Sequence, residues 1–283
     1  MHQWSLNLLY NQLHFPGTMA KVPAMTNIQE NIQYCRTLVQ DQDLDRYYLS
    51  LFAPDSVRMH MWAILAFNCE VSNIVGKVSE PMLAEIRLQW WREAFDSILE
   101  SQPRKHPVVE QLANLPDFGR IRYHLDKVLD AWSIFHEEDR ATVSALECHA
   151  ENTGGSINVA LLHVLSPNAL SSDAGPVRQA GKVFSLLAGI RAVNRRETGG
   201  TDAKALQATL KRIGDKLKPE LSEMRAIQFT TRTTSILMAA NGISDLYLRD
   251  LERAKFNIDE ISLDKPSRFR KLFALLKYHM FSK

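Results

Sequence analysis

Two pairs of aspartates stand four residues apart, Asp41 with Asp45 and Asp126 with Asp130. On a helix that spacing puts both carboxylates on one face. Hard oxygen donors so placed suit Mg²⁺. A solvated helix face or a cap produces the same spacing, and we read both pairs that way. Nine histidines are scattered, without HExxH or a Cys/His ligand spacing, which argues against zinc. Ser144, Ser156 and Ser185 lack a GxSxG context. No Walker lysine follows Gly154-Gly155, so this pair reads as a helix break or a close helix contact. The three cysteines, Cys35, Cys69 and Cys148, are odd in number and far apart. They fit a reducing compartment and are expected to be small buried hydrophobes. No cofactor is expected.

The elements that must position these residues are helices. The chain has 283 residues, 45% hydrophobic and 23% charged, with a net charge of +2. That is globular composition, and no global field attracts nucleic acid. No apolar run is long enough for a membrane-spanning helix. Residues 1–29 hold no acid and a single Lys/Arg residue, Lys21. A presequence would carry several arginines, so residues 1–25 read as a disordered or loosely packed extension, with Met19 and Met25 as alternative starts. Residues 26–283 read as one all-α domain. Thr26 caps a helix over 27–40. Helices follow over 56–75, closed by Gly76, and from Pro81 to Glu100. Others cover 107–115, 119–137, 139–165 with a break at Gly154-Gly155, 177–193, 203–225, 227–255 and 267–282. Residues 167–176 and 198–202 are loops.

Three stretches in order carry a resemblance. The first is Arg46-Tyr47-Tyr48-Leu49 with Pro54, Arg58 and Ala66-Phe67. The second is Ala150 to Asn158, and the third is Gly181 to Arg191. Together they resemble the squalene/phytoene synthases, over roughly residues 30–280. The resemblance implies a single-domain isoprenoid synthase-like helical fold. It also implies a pocket in which Mg²⁺, held by two aspartate boxes, assists loss of an allylic diphosphate.

The sequence departs from that pattern at the boxes. Aligning Phe67 with the family's phenylalanine puts the first box on Ser72, Asn73 and Gly76. Aligning Arg191 puts the second on Ala192 and Arg196. None is a carboxylate, and Arg196 adds a positive charge. Glu70 is rotated off the box face, and Glu197 adjoins Arg195 and Arg196. The resemblance gives a relic substrate or lipid pocket of Tyr47, Tyr48, Arg58, Ser72, Asn73, Gly76, Gly155, Arg191 and Ala192. Arg58 and Arg191 would grip a phosphate or carboxylate there, or form structural pairs. For Arg191 the partner would be Glu70 or Glu151.

Glu80-Pro81 with Glu85 to Arg92, and Tyr247 to Phe256, are similar to a branch related to a mitochondrial complex I assembly factor and its alphaproteobacterial relatives. That implies a non-catalytic role beside complex I subunits or assembly intermediates, with an isoprenoid or lipid as ligand. The alternative is an active prenyl transferase with an altered Mg²⁺ site. The expected location is a bacterial cytoplasm, peripheral to the inner membrane. The matrix side of the mitochondrial inner membrane is the other reading.

Two further features remain. Trp90 and Trp91 point about 100° apart, and we read both as packed in the fold, the alternative being one in the core and the other against a second helix or a ligand. Arg87 and Arg92 flank them and are expected to pair at helical spacing with Glu85, Glu93 or Asp96, or to hold an anion. From Ser267 to Lys283 there are five Lys/Arg residues and no acid. Phe269, Leu272, Phe273, Leu276 and Met280 form one stripe. Such a helix either lies on an anionic membrane or packs its stripe on the domain.

Overall fold

The computed structural model describes residues 27–77, 81–137, 143–169, 171–193, 203–227, 232–257, 260 and 267–281. The extension 1–25, the Thr26 cap and the segment from Asn194 to Asp202, with Arg195, Arg196 and Glu197, lie outside them. Every regular element among the described residues is helical, as expected.

Helix α1 (Asn27–Gln42) lies on α3 (Asp55–Lys77) and α5 (Pro107–Ala113), with the short α2 (Leu44–Ser50) beside it. The Asp43 side chain starts α2 by accepting the Arg46 amide, a standard N-cap. Helix α4 (Pro81–Leu99) repeats Ala84, Leu88, Trp91 and Phe95 at helical spacing and buries that row. His106 caps α5 through its ring nitrogen, and Pro107 supplies the first turn. Helix α6 (Phe118–Glu137) buries Ile121, Leu125, Val128 and Leu129 against α4 and α8. The centre of this half is aromatic: the Phe67 ring lies 5.1 Å from that of Trp91 and 5.3 Å from that of Phe95.

Helix α7 (Val143–Ala150) continues through a π turn, Glu151–Gly155, into α8 (Ser156–Leu165). Helix α9 (Ser171–Val193) packs on that turn, on α8 and on α12 (Ala240–Arg253). Helices α10 (Ala203–Arg225) and α11 (Arg232–Met238) complete this half. The last, α13 (Arg268–Phe281), rests on α12 and also touches α2 and α11.

Some boundaries differ from expectation. Gly76 does not close its helix, because α3 runs on to Lys77. Helix α9 begins six residues earlier than read, at Ser171, with Pro176 inside it. A proline one turn past the start forfeits a single bond, to the Ser172 carbonyl, and the buried side chains of Val177 and Ala180 keep the helix in place. The segment read as one helix over 227–255 turns at Ala239, which divides α11 from α12.

Candidate functional site: α2 between α3 and α9

Helix α2 carries the first stretch of the resemblance, and the structure shows what each side chain does there. Tyr47 is buried, its ring stacked on Trp62 at 6.4 Å. Its hydroxyl accepts from the Arg36 guanidinium at 3.3 and 3.4 Å. Tyr48 is half-buried and tilted against Tyr47. The Trp62 indole donates to the Ser50 hydroxyl at 2.9 Å, and that hydroxyl donates to the Tyr47 carbonyl at 2.6 Å.

The Arg58 guanidinium is engaged within the fold, the structural alternative of the two expected. Its Nε donates to the Ser50 carbonyl at 3.2 Å, and Nη2 donates to those of Leu51 and Ala53 at 3.2 and 2.8 Å. Nη1 pairs with Asp55 at 2.8 Å. Ser50 ends α2, and Leu51 and Ala53 lie in the turn after it, so Arg58 braces the end of α2 and fixes the turn into α3. It also lies far from the box positions: fourteen residues of helix separate Arg58 from Ser72, a rise of roughly 21 Å.

The residues near Ser72 and Asn73 come from the other end of α2. The Ser72 hydroxyl donates to the Cys69 carbonyl at 2.9 Å, within its own helix. The Asn73 amide donates to Gln42 at the end of α1, at 2.6 Å. Burial pushes the Cys69 thiol up, with Asp43 and Glu70 adding to the rise and Arg46 opposing it. Asp43 and Arg46 therefore lie within electrostatic reach of the turn before Ser72. Arg46 is 5% exposed and pairs with Asp43 at 3.2 Å. Its guanidinium lies 4.7 Å from the centre of the Phe184 ring and donates to the Ser185 hydroxyl at 3.4 Å, both on α9. Thus Arg46 ties α2 to α9. In the sequence Arg46 is legible only as part of the motif, although a basic residue three positions after Asp43 and next to Asp45 is a usable signal.

Asp45 also departs from expectation. It is buried rather than on a solvated face or at a cap. It accepts from the Tyr247 hydroxyl and, at 2.7 Å, from the Lys271 ammonium. Partners on two helices explain how the carboxylate tolerates burial. Asp126 and Asp130 are surface pairs as read, with Arg122 at 3.2 Å and Arg92 at 2.6 Å.

The second stretch forms a close helix contact. A Cβ on Gly181 would lie 2.2 Å from the Gly154 carbonyl oxygen and 2.8 Å from Asn158 Cγ. One on Gly155 would meet Arg178 at 3.0 Å. The glycine pair is thus both a helix break, through the π turn, and a close contact. Gly76, Arg191 and Ala192 sit in the last turns of α3 and α9, and their surroundings lie outside the described side chains. The two acids expected to partner Arg191 have partners of their own. Glu70 accepts from the Tyr34 hydroxyl at 2.8 Å and faces His106 at 3.7 Å. Glu151 pairs with Lys182 at 3.5 Å.

The Arg87–Arg92 helix pairs outward rather than along itself. Arg92 reaches Asp130, Glu93 holds Arg104 at 2.6 Å, and Asp96 holds Arg122 at 2.7 Å. Glu85 accepts from Ser133. Trp91 packs in the core, and Trp90 rests edge-on to His106 with Arg104 over its ring. Cys35 and Cys69 are buried as expected, and burial raises the Cys35 thiol to about 12. Cys148 is exposed instead, on the outer side of α7. Among the described residues no three His, Cys, Asp or Glu side chains converge as a metal site would need.

An all-helical chain with this α2 motif, π turn and α9 contact matches a known family. The squalene/phytoene synthase model matches residues 39–203, and the chain belongs to that family. Among solved structures, a ligand-bound dehydrosqualene synthase superposes with a TM-score of 0.73 at 15% identity, covering 90% of this chain and 97% of that one. The squalene synthase HpnC from Alicyclobacillus acidocaldarius gives 0.65 at 14% identity, covering 83% and 97%. At such identities the likeness is one of fold. In sequence the chain is similar to complex I assembly factor 6 of Bos taurus, 29% identical over 168 residues. That match covers 56% of this chain and 48% of the bovine protein. The Drosophila melanogaster homolog is 26% identical over 223 residues, covering 70% and 67%. The chain spans about half the length of the mammalian relatives it matches.

Proposed function

We propose that this chain is a non-catalytic member of the synthase family that serves in assembly of respiratory complex I. The observation that carries the reading is the similarity to complex I assembly factor 6 in mammals and in the fly. The box positions add support. Ser72 and Asn73 stand where the resemblance calls for aspartates, and their polar atoms serve Cys69 and Gln42. Neutral side chains offset little of the cost of dehydrating Mg²⁺. The buried Arg46 puts a cation within electrostatic reach of Cys69, three residues before Ser72. No bound Mg²⁺ belongs to this reading.

A relic pocket, where the resemblance implies it, would hold an isoprenoid or another lipid chain. Complex I subunits or assembly intermediates are the partners. The protein works at the inner membrane, peripherally, with residues 267–283 in contact with it. Its place is the cytoplasmic side in a bacterium or the matrix side in a mitochondrion. No helix among the described residues is long and apolar enough to cross a membrane. A strain lacking the chain tests the reading: assembled complex I and its NADH oxidation should fall and return on complementation. Normal complex I in that strain would overturn it.

A further inference from the structure

The apolar stripe of α13 does not pack on the domain. Phe269 is 77% exposed and Phe273 60%, and Leu272, Leu276 and Met280 are exposed as well. The opposite side of the helix docks. Leu275 is fully buried, and the Lys271 ammonium reaches buried Asp45 at 2.7 Å. Tyr278 accepts from the buried Asn241 amide at 3.3 Å. A Cβ on Gly242 would lie 2.5 Å from the Ala274 carbonyl, so α12 and α13 approach closely. Contacts on three successive turns fix the rotation of the helix and hold the stripe outward.

The cations are placed with respect to that stripe. At about 100° per residue the stripe spans roughly 100° of arc, opposite Lys271 and Tyr278. Lys277 and Arg270 border it on one side, and Arg268 borders it on the other. Lys271 belongs to the docked side, and Arg270 approaches Asp250 at 3.6 Å. Arg268 and Lys277 are exposed and have no acidic partner among the described residues. No acid occurs anywhere from Ser267 to Lys283. Apolar surface continues onto the turn between α2 and α3, where Phe52 meets His279 at 5.2 Å and Leu51 is exposed.

We propose that this outward face of α13 is a docking surface for an anionic lipid bilayer, with Phe269 and Phe273 entering the headgroup boundary and Arg268 and Lys277 on lipid phosphates. The proposal rests on the peripheral-membrane part of the reading above and assigns it a face, an orientation and a lipid charge. Exposed phenylalanines between basic rims are the pattern of an interfacial helix. Charge selects this occupant over a second copy, since face-to-face pairing of two such helices would oppose bases to bases. The Lys271 anchor sets the helix flat on the body, so the adjoining Leu51 approaches the same surface.

Vesicle flotation of the full chain tests the proposal. With phosphatidylcholine vesicles containing about one third phosphatidylglycerol, the protein should float, and with pure phosphatidylcholine it should stay behind. Each surface cation contributes roughly a fivefold factor to partitioning, so the double variant Arg268→Glu, Lys277→Glu should lose at least about 25-fold. Phe269→Ser with Phe273→Ser should lose binding too, with an unchanged melting temperature, because neither ring packs in the fold. Flotation unaffected by both pairs overturns the proposal, as does failure of the folded wild-type chain to float. A dimer in light scattering that is broken by the phenylalanine pair would assign the face to a second copy and overturn it equally. Vesicle binding that persists while a deletion strain keeps normal complex I would sink the assembly role and leave the surface standing.

Discussion

Replacing Gly181 with alanine adds one methyl group at the tightest point between α9 and the π turn. Its Cβ would sit 2.2 Å from the Gly154 carbonyl oxygen and 2.8 Å from both the Gly154 carbonyl carbon and Asn158 Cγ. An ordinary contact needs about 3.4 Å, so the two backbones must part by roughly 1 Å. Neither neighbour can swing away, since two of the three atoms are main chain. The Asn158 amide also donates to the Val177 carbonyl at 3.2 Å, and separation would stretch that bond. Overpacking a well-fitted core costs about 1–3 kcal/mol, and a backbone-to-backbone clash belongs at or above the upper end. For a chain of this size about 3 kcal/mol lowers Tm by roughly 6–12 °C. The same helix supplies the control. Gly175 and Gly189 have nothing within 4 Å of an added Cβ. Alanine there should stabilise by about 0.5–1 kcal/mol through helix propensity and a less flexible unfolded chain. Thermal unfolding by circular dichroism reads all three variants. A Gly181→Ala protein that melts with or above the wild type, as the controls should, would refute the close-contact account of the glycines.

Asp45→Asn leaves the Lys271 ammonium facing a neutral amide where both side chains are largely buried, 17% and 11% exposed. Loss of one partner of such a pair costs about 3 kcal/mol, and the loss should centre on α13. Hydrogen exchange should speed up first in Arg268–Phe281, and an unchanged exchange rate there would contradict the anchoring role. His124 is held down to about 4 by burial, with His163, Arg178 and Lys127 adding to the effect. Burial lowers His163 and His106 as well. An imidazole neutral when folded and protonated when unfolded makes stability fall as pH drops. The fall should begin near 6.5 and continue to about 4, and His124→Gln should flatten part of it; a melting temperature constant across that range would contradict the assignment.

Helix boundaries set by local chemistry were legible in the sequence. Pro81 and Pro107 mark the starts of α4 and α5, and Gly154-Gly155 marks the break that proved to be a π turn. The row Ala84, Leu88, Trp91 and Phe95 reads directly as a buried face. The functions of single charged residues were less legible, because their partners lie far along the chain. Asp45 looked like half of a surface pair, yet Tyr247 and Lys271 bury it from 202 and 226 residues away. Arg46 finds Ser185 at a separation of 139 residues. The partners of Arg58 were illegible for a different reason. Its acceptors are main-chain carbonyls at the end of α2, and a seven-residue helix leaves little periodic signal. The stripe on α13 was visible as a pattern, and only the docking of Leu275 and Lys271 decided that it faces outward.

On the proposed non-catalytic role, this synthase fold should not ionise a prenyl diphosphate. The direct test incubates the purified full chain with farnesyl or geranylgeranyl diphosphate and Mg²⁺ and follows diphosphate release, beside an active synthase of the family. Release should be no faster than in buffer, with or without EDTA. Release of diphosphate that EDTA abolishes, accompanied by a condensed isoprenoid product, would contradict it.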